Sequence, residues 1–223
     1  MRGRFLVLEG IDGAGTTTQT AELARRLRAR GVRAIATAEP TRGPVGSLVR
    51  LALTDRLKGP GGREFDRTAL ALLFAADRLD HVASEILPRL AEGTWVVSDR
   101  YALSSLAYQT LDVPAQFVEA INARAPAPDL TLFLEVPPEI ALRRRRAEGS
   151  PAEIFERLPL QRKVAASYRR GVAAGGARGP VRVVDGTLGI GAVADEIERL
   201  VASRFKLAPP GRPASGRSRA ERR

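Results

Sequence analysis

Residues 10 to 18 read Gly-Ile-Asp-Gly-Ala-Gly-Thr-Thr-Thr, a phosphate-binding loop without its lysine. In the pattern G-x-x-x-x-G-K-S/T, glycines let backbone N–H groups converge on phosphate oxygens. The lysine reaches the terminal phosphates, and the hydroxyl sits on magnesium. Here Gly10 and Gly15 hold the glycine positions, Thr17 the magnesium hydroxyl and Thr16 the place of the lysine. Gly13, Ala14 and Thr18 complete the cradle. The second cluster is Asp99-Arg100-Tyr101, at the end of the apolar run from Trp95. A carboxylate in that place holds magnesium directly or through water. The planar guanidinium of Arg100 can reach a transferring or accepting phosphate. Thr17 and Asp99 are therefore the candidate metal residues.

The flanking elements fit this chemistry. Arg4 to Glu9 is a short apolar run, which reads as a buried parallel strand. Thr17 to Arg30 reads as a helix with Ala21, Leu23, Ala24 and Leu27 on one face, ended by Gly31. A helix N-terminus behind the glycine loop adds partial positive charge for a phosphate. A glycine turn without a ligand is the plainer reading, but it leaves the strand, the helix start and Thr17 as coincidence. Further on, strands are expected at Val32 to Thr37, Trp95 to Asp99, Leu130 to Glu135 and Val181 to Asp185. Helices are expected at Arg63 to Leu90, Pro138 to Glu148, Pro151 to Ala174 and Ile190 to Phe205. Alternating strands and helices predict βαβ units, hence an α/β fold with a five-stranded parallel sheet and helices on both faces. Ligands bind such sheets beyond the strand C-termini. Glu9-Gly10, Glu39, Asp99-Arg100, Glu135 and Asp185 all fall there.

Composition narrows the classes. The 223 residues suit one α/β domain. No apolar run approaches the ~18 residues of a membrane span, and the first apolar run is too short for a signal sequence and is cut by Glu9. With no cysteine and one histidine, disulfides and thiol catalysis are excluded, and a zinc site has no ligand set. The expectation is a cytoplasmic enzyme. The net charge is +11, and Lys206 to Arg223 carries six positive residues and one negative. That segment is rich in Pro, Gly and Ser and lacks periodicity. It is expected to be a disordered, solvated tail, with nucleic-acid contact the lesser reading. The remaining positive charge suits a protein that holds several phosphates.

An ordered set of fragments resembles the thymidylate kinase family. They are Glu9 to Gly15 with Thr17-Thr18-Gln19, Glu39-Pro40-Thr41, Leu73-Phe74-Ala75-Ala76-Asp77-Arg78, Asp99-Arg100-Tyr101 with Ala107-Tyr108-Gln109, Pro128-Asp129-Leu130 and Leu134-Glu135-Val136-Pro137. Each is weak alone; in order along nearly the whole chain before the tail they are specific. The resemblance implies a P-loop nucleoside monophosphate kinase fold with a lid. It also implies transfer of the ATP γ-phosphoryl group to dTMP with magnesium on the route to dTTP, and a homodimer. Phe74 resembles the ring that stacks on thymine, and Arg78 the side chain that bonds a base carbonyl. Tyr108 resembles the residue that crowds the ribose 2′ position, with Ser105 near the base and Gln109 near the sugar or base. Glu39 and Pro40 belong to the dTMP side, Arg42 and Arg100 would clamp its phosphate, and Asp12 would lie near the 3′-hydroxyl and the metal. Asp185-Gly186-Thr187 resembles the turn that flanks adenine. His81 finds no role and reads as a surface or boundary histidine.

Thr16 and Ala38 depart from the family pattern, removing two cations from the phosphate region. Family members with few basic groups in the loop often carry lid arginines. Here the lid is expected at about 143 to 162, with Arg143 to Arg146, Arg157 and Arg162, and Arg143 and Arg146 are the candidates for catalysis. Four consecutive arginines on a helix point in different directions, so only one or two can face a site. The expected division is a domain over 1–205 and a tail over 206–223. The alternatives are a kinase with another deoxynucleotide or nucleoside as acceptor, and a catalytically weak nucleotide-binding sensor or scaffold.

Overall fold

Short apolar runs bounded by glycine or charge become the strands. The computed structural model describes residues 2–147, 157–175 and 178–208. The strands are β1 (Phe5–Glu9), β2 (Ala34–Ala38), β3 (Trp95–Asp99), β4 (Leu130–Glu135) and β5 (Val181–Asp185). All pair in parallel, in the order β2-β3-β1-β4-β5. Leu8 is level with Asp99 on one side and Leu132 on the other, so the strand ends form one edge. The chain runs to opposite sides of β1, and a crevice opens at its C-terminal end.

The helices are α1 (Thr16–Ala29), α2 (Pro44–Leu53), α3 (Arg67–His81), α4 (Leu87–Ala91), α5 (Ala102–Tyr108), α6 (Ala115–Ile121), α7 (Pro138–Ala147), α8 (Leu158–Ala173) and α9 (Ile190–Phe205). A π-turn, Val82–Ile86, joins α3 to α4. Side chains alternate across β1. Leu6 and Leu8 join a core with Leu23, Ala24 and Leu27 of α1 and Ile197 and Val201 of α9. Phe5 and Val7 join a second core with Val82, Ile86 and Leu90. Both faces of the sheet are therefore covered, as the strand–helix alternation predicted.

The expected helix from Arg63 begins instead at Arg67. Asp66 caps it, accepting the Ala69 N–H at 2.8 Å, as N-cap carboxylates do. Residues 148–156, in the middle of the expected lid, and 209–223, most of the expected tail, lie outside the described residues. Among the described residues no helix is long and apolar enough to cross a membrane.

Candidate active site

The loop after β1 wraps the N-terminus of α1. Gly13 and Gly15 have φ of 83° and 93°, the left-handed region that suits residues without a Cβ. A Cβ on Gly13 would lie 2.2 Å from the Ala141 carbonyl, so the loop rests directly on α7. Gly15 faces open space, where an anion can approach the helix N-terminus. Gly13, Gly15, Thr16, Thr17 and Thr18 line a cleft of about 490 Å³. Ala14 is buried behind them, its N–H on the Ile11 carbonyl at 3.0 Å.

Thr17 Oγ1 donates to Asp99 Oδ2 at 2.5 Å, across the edge where β1 and β3 end. Asp99 is buried, and its Oδ1 has no hydrogen-bond partner among the described residues. A buried carboxylate oxygen without a donor suits a cation. Among the described residues no group of three or more His, Cys, Asp or Glu could hold a metal. A divalent ion here would take Thr17, Asp99 and phosphate oxygens, as magnesium does.

Arg100 adopts φ of 70° just past β3, which turns its side chain back to the loop. It donates to Asp12 Oδ1 at 2.7 Å and the Gly10 carbonyl at 2.9 Å, and its guanidinium lies over the Tyr108 ring. Asp12 Oδ2 also accepts from Gln161 Nε2 on α8 at 2.9 Å. Beneath them Glu9 is fully buried. It accepts from the Tyr101 N–H, the Ser104 hydroxyl at 2.6 Å and the Tyr168 hydroxyl at 3.1 Å. Burial pushes its carboxyl up to about 7, against the hydrogen bonds of Ser104 and Tyr168 and the charge of Arg100.

The other end of the cleft is lined by Glu39, Pro40, Arg50, Phe74, Arg78, Ser105, Tyr108 and Gln109. Phe74 is half-buried, while Arg78, Ser105, Tyr108 and Gln109 are buried. Arg78 Nε and Nη2 each lie 2.8 Å from Glu39 Oε2. Nη2 also donates to the Tyr101 carbonyl, and Nη1 to Ser105 Oγ and Asn122 Oδ1. Four hydrogen bonds to protein acceptors thus occupy the guanidinium, and Nη2 also lies beside Glu39 Oε2. A ligand carbonyl must share Nη1 with Ser105 or Asn122, or displace one of them. Burial also pushes the Tyr108 hydroxyl well above the usual tyrosine range, opposing the charge of Arg100.

Arg42 is exposed and lines an adjoining cleft with Thr17, Thr41, Arg50, His81 and Asp99. Among the arginines of the expected lid, Arg145 lines the main cleft, against Gly13. Arg143 and Arg146 lie in a separate depression with Glu139, Leu142 and Leu158. Arg144 donates to the Gly186 and Thr187 carbonyls, and Arg162 pairs with Glu139 at 2.7 Å. Asp185 holds its own turn, with its carboxyl lowered by hydrogen bonds from the Thr187 hydroxyl and N–H. Neither Asp185 nor Thr187 lines the main cleft.

Several site residues carried no sequence signal: Arg50, Gln161, Tyr168 and Asn122. Asp77 takes the Thr41 N–H at 2.7 Å and hydroxyl at 2.6 Å, and Arg50 holds the Pro40 and Thr41 carbonyls. Together they fix the turn after β2. The surface or boundary reading of His81 is corrected: it is 2% exposed, and its ring at the end of α3 reaches Thr37 on β2 and Glu39 just beyond it.

The family model for thymidylate kinase matches residues 8–197. A probable thymidylate kinase from Pyrococcus horikoshii is 43% identical over 169 residues, covering 75% of this chain and 82% of its own. One from Pyrobaculum aerophilum is 44% identical over 165 residues, covering 74% and 80%. A thymidylate kinase from Desulfotalea psychrophila is 39% identical over 168 residues, with the same two shares.

Proposed function

The chain belongs to the thymidylate kinase family, and we propose on that premise that it transfers the ATP γ-phosphoryl group to dTMP, giving ADP and dTDP. The observation that carries this reading is one cleft holding both the glycine loop with Thr17 and the Phe74, Arg78, Ser105, Tyr108 and Gln109 set. One end suits a triphosphate, the other a base and sugar.

An oxygen of the dTMP phosphate attacks the γ-phosphorus, and the bond from that phosphorus to the β–γ bridging oxygen breaks. The phosphate dianion is its own nucleophile, so no side chain accepts a proton. Catalysis is alignment and charge neutralisation. The loop amides of Gly13 to Thr18 bind the β-phosphate, and Arg100 and Arg42 clamp the acceptor phosphate. Asp12 orients Arg100 and faces the sugar 3′-hydroxyl. Thr17 and Asp99 would hold a magnesium ion, which would supply positive charge against the phosphates. Phe74 stacks on thymine, Arg78 with Ser105 reads a base carbonyl, and Gln109 contacts the sugar or base. Tyr108, backed by the Tyr168 ring and held under Arg100, excludes a ribose 2′-hydroxyl. Asp185 and its turn flank adenine. The catalytic domain spans 1–205, with a lid at about 143–162 and a tail over 206–223, of which residues 208–223 are dispensable. The protein acts in the cytoplasm as a homodimer.

A coupled ADP-release assay with ATP and a panel of dTMP, dUMP, dCMP, UMP and thymidine tests the reading. The expected result is highest kcat/KM for dTMP. Equal turnover of dTMP and dCMP overturns it. Thr16 in the lysine position favours one second reading, a nucleotide-binding sensor. Binding of both nucleotides with no turnover would identify that.

A further inference from the structure

The chain has one histidine, and phosphoryl transfer as described does not use it. His81 ends α3 where the helix widens into the π-turn, a feature found often at functional sites. Both ring nitrogens face oxygen. Nδ1 lies 3.1 Å from Glu39 Oε1, and Nε2 lies 2.8 Å from Thr37 Oγ1 and 3.1 Å from Glu85 Oε2. The single Thr37 hydroxyl proton points to Glu85 Oε2 at 2.7 Å.

A neutral imidazole has one N–H and one lone pair. With the lone pair on Nδ1, it faces the Glu39 carboxylate with no proton between them. With the lone pair on Nε2, it faces Glu85, and the Thr37 proton can serve only one of the two. An imidazolium donates from both nitrogens and satisfies every oxygen around it. Burial works against that charge, but the hydrogen bond and charge of Glu39, then the charge and hydrogen bond of Glu85, outweigh it and hold the proton above the usual histidine range. The charged groups sharing the adjoining cleft are Arg42, Arg50, Asp80, Glu85 and Asp99, and Arg78 lies across Glu39.

Glu39 therefore stands between two cations, His81 at Oε1 and Arg78 at Oε2. Arg78 in turn sets Ser105 and Asn122. We infer that His81, as an imidazolium, is a positioning residue for acceptor recognition: it fixes Glu39 so that Glu39 holds Arg78 in place at the base end of the cleft. A neutral His81 that gives up its Nδ1 proton frees one Glu39 oxygen, and the carboxylate can then rotate and carry Arg78 with it; one that keeps that proton turns its Nε2 lone pair toward Glu85.

The kinetic part of this inference rests on the dTMP kinase reading; the protonation of the ring does not. His81→Asn keeps an N–H near the Nδ1 position but loses the charge and the reach to Glu85. It is expected to raise the dTMP KM about tenfold while kcat stays within about threefold, with the ATP KM unchanged. In the starting protein kcat/KM for dTMP should fall on the alkaline side as the imidazolium deprotonates. That limb should be missing in His81→Asn, whereas the limb from the dTMP phosphate itself is common to both. Because the histidine is unique, the ring ¹H–¹⁵N spectrum of untagged ¹⁵N-labelled protein reports its state without assignment. The expected pattern is imidazolium at neutral pH, with its titration moved upward by dTMP. A neutral-ring pattern in the folded protein overturns the inference. So does a His81→Asn protein with lowered melting temperature but the same dTMP KM and pH profile. If the starting protein does not phosphorylate dTMP, the functional reading fails, and the spectrum together with dTMP binding by calorimetry still decides the role of the ring.

Discussion

At the residue scale, a carboxyl group cut off from solvent ionises only where hydrogen bonds and charge replace its water. Glu9 has backbone and hydroxyl donors and the nearby Arg100, yet burial still dominates and its carboxyl titrates at about 7 instead of 4.5. Between those values the unfolded chain binds fewer protons than the folded one. Stability should therefore fall as pH rises through this window, by on the order of 3 kcal/mol in full. The carboxyls of Glu22, Glu139, Asp185, Glu196 and Glu198 are shifted downward, so their slopes lie below it. Glu9→Gln should flatten the melting-temperature profile from pH 4.5 to 7 and leave the protein no less stable at the upper end. Calorimetric melts of both proteins across that range check this; parallel profiles would refute it. The site residues legible in the sequence were those bound to a short pattern, such as Gly10 to Thr18 or Asp99-Arg100. Tyr168 reaches Glu9 over 159 residues and Gln161 reaches Asp12 over 149. No local spacing marks such partners. His81 failed for the same reason: its partners Thr37 and Glu39 lie on another element, and a lone histidine on a helix has no period to betray burial.

At the element scale, α7 bears on the missing lysine. The loop touches α7 through Gly13, and of the four arginines on that helix Arg145 lines the cleft. Arg144 ties α7 to the turn after β5, and Arg143 and Arg146 sit apart. None of the three lysines, Lys58, Lys163 and Lys206, lines the cleft. A cation at the transferring phosphoryl group can contribute about 10³–10⁵ in rate. Arg145→Ala should then lower kcat by about 10²-fold or more, and Arg143→Ala and Arg146→Ala by less than about threefold. Thr16→Lys should tighten ATP and partly restore Arg145→Ala. Steady-state kinetics on the four single variants and on the Thr16→Lys/Arg145→Ala double variant test this, and a fully active Arg145→Ala protein would sink it. The strands were readable because each is a short apolar run ended by glycine or charge. The helices α2, α5 and α6 were not. They span 10, 7 and 7 residues, too short to show a helical period, and α2 carries Gly46 in its interior. The π-turn likewise has no compositional mark and is fixed by packing of Val82 and Ile86 under the sheet.

At the scale of the whole molecule, α2 and α3 pack side by side and divide their faces between two tasks. The inner faces carry Arg50, Phe74 and Arg78 to the cleft. The outer faces expose Leu48 and Leu51 on α2 and Leu72 and Leu79 on α3, at 41%, 39%, 47% and 36%. Four large apolar side chains are thus exposed on two adjacent helices, and contiguous apolar surface of this kind marks interaction sites. A second copy of the chain would cover them in the proposed homodimer, and a stable interface needs about 800 Å² from each partner. Such an interface also braces the helices that hold the acceptor pocket, because Leu72 and Phe74 lie only two positions apart on α3. Replacing Leu48 and Leu72 together by Glu should therefore have two linked effects. Sedimentation equilibrium should show a monomer where the starting protein is a dimer, since charge cannot be buried against charge across a two-fold contact. The dTMP KM should rise several-fold while the ATP KM changes little, since the loop and α1 lie elsewhere in the fold. A starting protein that sediments as a monomer would remove the interface from the account. A variant that becomes monomeric with unchanged dTMP KM would leave the dimer standing but show that α2 and α3 hold the pocket without it.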